Sequence, residues 1–140
     1  MADAITLRII TPESIVLDTT ASSVRIPGTD GQMGVLAKHA PLVAAMTAGE
    51  LFYTENGQEH CRFVGAGFAE VRQDTVRIVS DSCERPSDID VDRAVRAAER
   101  AKDRLKARKT EGGEVFDYVR AEASLRRALL RKLAAKRRSD

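Results

Sequence analysis

Arginine is the residue type whose spacing in this chain calls for a chemical explanation. Arg93, Arg96, Arg100 and Arg104 recur every three or four residues, the interval that puts side chains on one side of a helix. Arg120, Arg127 and Arg131 do much the same further on. A guanidinium is planar and permanently charged, and it binds carboxylate or phosphate through two parallel hydrogen bonds. Such a set fits an acidic protein surface, a nucleotide phosphate or nucleic acid. It also fits a solvated face beside a helix seam, which is what charge runs usually are. Nucleic acid is disfavoured by a net charge of only +2 and by the absence of a recognisable reader motif. A free binding module that lays its basic helices on nucleic acid stands as the alternative reading.

Groups able to do covalent chemistry do not gather. His39 and His60 are the only two histidines, and neither lies in a nucleophile motif. Gly-x-Ser-x-Gly, His-Glu-x-x-His and a P-loop are all missing from the sequence. His39 precedes Ala40-Pro41 and reads as the residue that orders a corner. Gly28, Gly31 and Gly34 do not match the dinucleotide fingerprint, so they read as glycines of tight turns. Cys61 and Cys83 lack metal-ligand spacing. Without an export signal a disulfide is not expected, and both read as buried thiols. The expectation is therefore no catalytic residues, no metal and no catalytic cofactor.

The elements that would carry these residues divide near Pro86. Residues 1–86 hold 7 Lys+Arg against 11 Asp+Glu, a net −4, and residues 87–140 hold 16 against 10, a net +6. An acidic front and a basic tail suggest two modules with different partners. In the front, Ile5, Leu7 and Ile9 alternate with polar or outward residues, as in a strand with one buried face. Short strands are expected at Ser14–Leu17, around Val24 and Ile26, at Met33–Leu36, Leu42–Ala45, Leu51–Thr54, Glu59–Val64, Phe68–Val71 and Thr75–Val79. Asn56-Gly57 signals a type I′ hairpin, and Gln73-Asp74 marks another. About nine or ten short strands with turn signals every eight to twelve residues fit a β-sandwich.

In the tail, Ser87-Asp88-Ile89-Asp90 reads as an N-cap with acids in the first turn. A first helix follows from Ile89 to about Arg108, with Ala94, Ala98, Ala101 and Leu105 on one face. Thr110-Glu111-Gly112-Gly113 breaks it. A second helix from about Glu114 to Arg137 has Tyr118, Ala121 (or Glu122), Leu125, Leu129 and Leu133 as its apolar stripe. The whole is α+β: a ten-stranded sandwich over 1–86, then an antiparallel two-helix hairpin over 87–140. An alanine seam buries little area, so the hairpin depends on docking and is suited to changing position. No apolar run approaches the ~18 residues of a transmembrane helix, and Met1-Ala2-Asp3-Ala4 is not the start of a signal peptide.

Three segments together resemble the epsilon subunit of F-type ATP synthases. The first is Gly28-x-x-Gly31-x-x-Gly34-x-Leu36-x-x-His39-Ala40-Pro41-Leu42, followed by Gly49-Glu50-Leu51. The second is Gly65-x-Gly67-Phe68-x-Glu70-Val71 with Val76-Arg77-Ile78-Val79 and Asp81. The third is Ile89-Asp90-Val91-Asp92-Arg93-Ala94. Their order and spacing span nearly the whole chain.

The resemblance implies a non-catalytic subunit of the central stalk, part of the rotor that couples ring rotation to ATP synthesis. It implies a sandwich docked on the gamma subunit and touching the polar loops of the c-ring, with Asp30, Gly31 and Gln32 at that contact and His39 nearby. It implies a tail that lies folded on the sandwich or extends to an acidic segment of the catalytic subunits, restraining ATP hydrolysis. The matching basic residues are Arg126, Arg127, Arg131 and Lys132, and more loosely Lys136, Arg137 and Arg138. Some members bind regulatory Mg-ATP on the folded tail. The residues that match are Asp90, Arg93, Arg100, Arg127 and Arg131. The implied location is peripheral, on the cytoplasmic face of the bacterial inner membrane, held there through the complex, with no nucleic-acid partner.

Overall fold

The computed structural model describes the backbone of residues 4–111 and 115–137, and side chains within 4–106 and 119–137. Ten strands come first: β1 (Ile5–Ile10), β2 (Ile15–Ala21), β3 (Ser23–Gly28), β4 (Gly31–Leu36), β5 (Leu42–Met46), β6 (Gly49–Glu55), β7 (Gln58–Val64), β8 (Gly67–Arg72), β9 (Thr75–Ser80) and β10 (Cys83–Glu84). A 3₁₀ turn at Pro86–Asp88 leads to two helices, α1 (Val91–Glu111) and α2 (Val115–Ala135).

The strands run in the order β10-β7-β6-β3-β5-β8-β9-β1-β2, with β4 pairing β3 off that path. Strand β3 is the joint of the sandwich. Its Ser23–Arg25 half pairs β6, while Gly28 at its end pairs Met46 of β5. The path rolls until β2 approaches β6, where the Ser22 N–H donates to the Thr54 carbonyl (2.9 Å) and the Thr19 hydroxyl donates to Glu55. Period-two alternation fills the interior. Ile5, Leu7 and Ile9 of β1, Val24 and Ile26 of β3, Leu51 and Tyr53 of β6, Ala69 and Val71 of β8, and Val76 and Ile78 of β9 form one buried cluster. Truncating one of the large ones to Ala would cost about 2–5 kcal/mol.

Turn chemistry sets the register. Asn56 (φ 52°) and Gly57 (φ 78°) are both left-handed, the backbone that a two-residue hairpin needs to match strand twist. Gln73 and Asp74 do the same without a glycine (φ 48° and 58°). A Cβ on Gly67 would lie 1.9 Å from the Val79 carbonyl oxygen, so only glycine lets β8 lie this close to β9.

Several local expectations need correction. The second strand does not stop at Leu17: β2 runs on to Ala21 because Asp18, Thr19 and Thr20 pair Arg8, Leu7 and Thr6. Ser87 is not the cap of α1. Pro86–Asp88 forms its own turn, Ile89 is extended, and Asp90 caps α1 through Oδ1, which accepts the Arg93 N–H (3.0 Å). The first helix also runs past Arg108 to Glu111. The expected Gly112-Gly113 break lies outside the described residues.

The apolar stripe of α2 is rotated from its expected position. Ala121, Ala128, Ala134 and Ala135 are buried, while Leu129 and Leu133 are 43% and 46% exposed. The side chain of Tyr118 lies outside the described residues. Among the described side chains of α1, Ala94, Ala98 and Ala101 are buried. Methyl groups on both sides let the two helix backbones approach closely, and leucines in that seam would hold them apart. Helix α2 lies between α1 and the sandwich. Its Ala134 and Ala135, with Leu130, pack on Phe63, Ala48 and Ile89 in a second, smaller cluster.

Candidate functional site

The hairpin seam opens into a cleft of about 320 Å³ lined by Glu84, Asp88, Ile89, Asp90, Arg93, Ala94, Ala97, Arg100, Ser124, Arg127, Ala128 and Arg131. Its construction follows from helix geometry. On α1, Arg93, Ala97 and Arg100 are four and three residues apart; on α2, Ser124, Arg127, Ala128 and Arg131 span one similar face. Small residues (Ala94, Ala97, Ser124, Ala128) form the floor, because they leave space where long side chains would fill it. The guanidinium-bearing residues form the walls. Strand β10 and the turn after it add the carboxylates of Glu84 and Asp88.

Asp90, Arg93, Arg100, Arg127 and Arg131 thus line one cleft, with both arginine pairs brought together. Asp90 contributes twice, since its carboxylate also caps α1. Arg131 forms an ion pair with Glu84 and lies over the Phe63 ring (5.5 Å to the centroid). Its Nε is buried and has no hydrogen-bond partner, an unmet donor of the kind that is costly to leave so. Four guanidiniums facing three carboxylates leave the cleft biased toward an anion. Glu84, Asp88 and Ser124 were not anticipated. Glu84 lies in the two-residue β10 and Asp88 in the 3₁₀ turn, and Ser124 lies off the apolar stripe expected for α2, so no spacing pattern marked them.

The residues expected to form an inhibitory basic face do not share one face. At 100° per residue, Arg126, Arg127, Arg131 and Lys132 spread around α2. Arg127 and Arg131 line the cleft. Arg126 lines a hollow against the sandwich, with Asp81 and Ala66, and Arg127 borders that hollow as well as the cleft. Lys132 is half-buried and Lys136 exposed. Arg137 binds Glu50, and that contact raises its pKa. Arg138 lies outside the described residues. The tail is folded down, with two of its basic residues engaged by sandwich carboxylates.

Asp30, Gly31 and Gln32 lie exposed at the tip of the β3–β4 hairpin. Gly28 pairs Gly31 across the turn, and Gly31 takes φ 122°. His39 is not near them. It follows the other end of β4, where Ser23 pairs Leu36, five strand residues away at ~3.3 Å each. There it does order a corner. Its N–H donates to the Leu36 carbonyl (3.3 Å), its Nδ1–H donates to the Ala40 carbonyl (2.7 Å), and Lys38 before it has φ 65°. Neither cysteine is in a disulfide; Cys61 is buried and Cys83 half-buried. Burial raises the Cys83 pKa to about 11, against a lowering effect of Arg62.

One exposed apolar area lies elsewhere. On β5 and β8, Val43 is 69% and Phe68 45% exposed, with Ala45 paired to Phe68. Beside them Ile10, Pro12 and Val79 line a shallow hollow that includes Phe68.

Two family models cover the described chain. Residues 4–86 match the ATP synthase delta/epsilon chain beta-sandwich domain, and residues 87–136 match the ATP synthase delta/epsilon chain long alpha-helix domain. The chain belongs to the ATP synthase epsilon-chain family. Its relatives include the ATP synthase epsilon chain of Nitratidesulfovibrio vulgaris, 43% identical over 94% of this chain and 95% of that one. Another is the epsilon chain of Symbiobacterium thermophilum, 44% identical over 96% and 94%. Among solved structures, a chain of the Euglena gracilis mitochondrial ATP synthase, OSCP/F1/c-ring assembly, superimposes with a TM-score of 0.78. The two are 23% identical, over 96% of this chain and 81% of that one. A chain of the Tetrahymena thermophila central stalk and c-ring assembly gives 0.64 at 12% identity, over 94% and 96%. These two share the fold. No described helix is long and apolar enough to cross a membrane.

Proposed function

We propose that the chain is a non-catalytic rotor subunit that couples c-ring rotation to ATP synthesis and restrains hydrolysis through its tail. The observation that carries the regulatory part is the cleft itself. Arg93 and Arg100 face Arg127 and Arg131 only while the hairpin is closed, so an anion bound among them holds it closed. A nucleotide triphosphate suits the cleft. The four guanidiniums, among them that of Arg131 with its unpartnered Nε, fit its phosphates, and Glu84, Asp88 and Asp90 offer acceptors for its hydroxyl and amino groups. When bound, Mg-ATP supplies negative charge and no chemistry. It binds the folded tail and not the extended one, and so shifts the population toward the folded state.

Extended, the tail meets an acidic segment of the catalytic alpha and beta subunits. The outward leucines Leu129 and Leu133 support this, since a helix with nothing to bind on that side has little reason to carry them. The β5–β8 patch around Val43 and Phe68 is the face for the gamma subunit, since contiguous exposed apolar area marks protein contacts. The Asp30–Gln32 hairpin tip meets the polar c-ring loops. The subunit is then peripheral, at the cytoplasmic face of a bacterial inner membrane. Family membership favours this reading over a nucleic-acid module, as does the engagement of Arg131 and Arg137 by sandwich carboxylates. Titrating the isolated chain with Mg-ATP in a calorimeter tests the regulatory part. Saturable binding lost in Arg93→Ala supports it, and no binding by the wild type refutes it.

A further inference from the structure

The end of α2 is fastened at a second place, away from the cleft. Alternation along β6 sends Leu51 and Tyr53 into the core, so Glu50 and Phe52 face outward. In the β6–β7 register they lie opposite Phe63 and Cys61. The last helical residues, Ala134 and Ala135, pack on Phe63. The chain then turns, with the Arg137 N–H on the Ala134 carbonyl (3.0 Å), and this aims the Arg137 side chain back at β6.

There it makes two contacts. Arg137 Nε donates to Glu50 Oε2 (2.5 Å), and its guanidinium lies over the Phe52 ring, 5.0 Å from the centroid. The Phe52 ring also carries Arg25, at 4.4 Å, and Arg25 is held in turn by Glu59 (2.7 Å). Phe52 is only 8% exposed and the Glu50 side chain 10%. A carboxylate so well covered needs a charged partner, and the nearby Cys61 thiol (3.5 Å) is a weak donor. The partner comes from the tail.

We infer that Arg137, with Glu50 and Phe52, forms a terminal clasp that fastens the tail to the sandwich independently of the nucleotide cleft. The inference rests on the proposed movement of the tail. Arg137 is absent from the cleft lining, so the clasp works with or without nucleotide. It also makes docking and inhibition exclusive, because a guanidinium held by Glu50 is not available to an acidic partner. Tail release therefore requires breaking this contact.

Hydrogen exchange of the α2 amides in the full chain tests the clasp, using wild type, Arg137→Ala, Glu50→Gln and the double variant. Each single change is expected to speed exchange in α2 about tenfold or more, with β1 and β9 unaffected. The double variant is expected to add little to Arg137→Ala alone, because that change already removes both the Glu50 and the Phe52 contact. If α2 opens apart from the strands but Arg137→Ala leaves its exchange unchanged, the clasp is wrong and tail movement stands. Additive single effects also overturn the clasp. If α2 exchanges only together with β1 and β9 in every variant, tail movement and clasp both fall.

Discussion

Replacing Arg127 by Ala separates a nucleotide cleft from a merely solvated helix face. Arg127 lines the cleft beside Ala128 and is exposed, so its removal leaves no buried group unpaired within the fold. A hydrogen bond to a charged group contributes about 1.5–3 kcal/mol, and exposure places Arg127 at the low end. A loss of about 1.5 kcal/mol raises the Kd for Mg-ATP about tenfold. The conformational effect follows by linkage. Ligand at a hundred times Kd stabilises the folded tail by about 2.7 kcal/mol; after a tenfold rise in Kd the same concentration gives only about 1.4 kcal/mol. Calorimetry reads the first quantity, and protection of α2 amides at fixed Mg-ATP reads the second. A Kd within twofold of wild type would refute the cleft assignment, because one of four converging cations would then be contributing nothing.

Three further outcomes are expected. Arg93→Ala abolishes the ATP-dependent change in tail protection; the Asp90 cap accepts a backbone N–H, so helicity by circular dichroism stays the same. Phe68→Asp, at a position 45% exposed, leaves the thermal midpoint of the isolated chain within a few degrees but prevents co-purification with a gamma-like shaft subunit; retained binding would move the docking face elsewhere. Deleting residues 88–140 leaves a cooperatively folding sandwich, since the main core draws on strands β1 to β9, and a non-cooperative melt would make the tail integral.

Much of the sandwich was legible because period-two alternation and turn residues act locally. Ile5, Leu7 and Ile9 point inward whatever the rest does, and Asn56-Gly57 requires its hairpin. The two-residue β10 was not legible, since Cys83 and Glu84 become a strand only by pairing Val64 and Phe63. The start of α1 depended on competition among Ser87, Asp88 and Asp90. Pro86 nucleated a separate turn, and that passed the cap to Asp90. The rotation of α2 was hidden for a different reason. Leucine at Leu129 and Leu133 signals burial more strongly than alanine does, yet the close seam with α1 favours the smaller residue. Arginine spacing put Arg93 and Arg100 on one side of α1 and Arg127 and Arg131 on one side of α2, the family resemblance singled them out from Arg96, Arg104 and Arg120, and neither pointed to Glu84, which reaches the cleft through tertiary packing. Nor did it reveal that Arg137 turns back to Glu50, a residue 87 positions earlier.

The most direct test of the central claim is the ATP hydrolysis rate of a catalytic complex reconstituted with this chain. The comparison is between the full chain and the chain lacking residues 88–140, at low and high ATP. Hydrolysis is expected to be slower with the full chain at low ATP and relieved as ATP rises, with neither effect for the truncated chain. Equal rates for the two chains at every ATP concentration would contradict that claim.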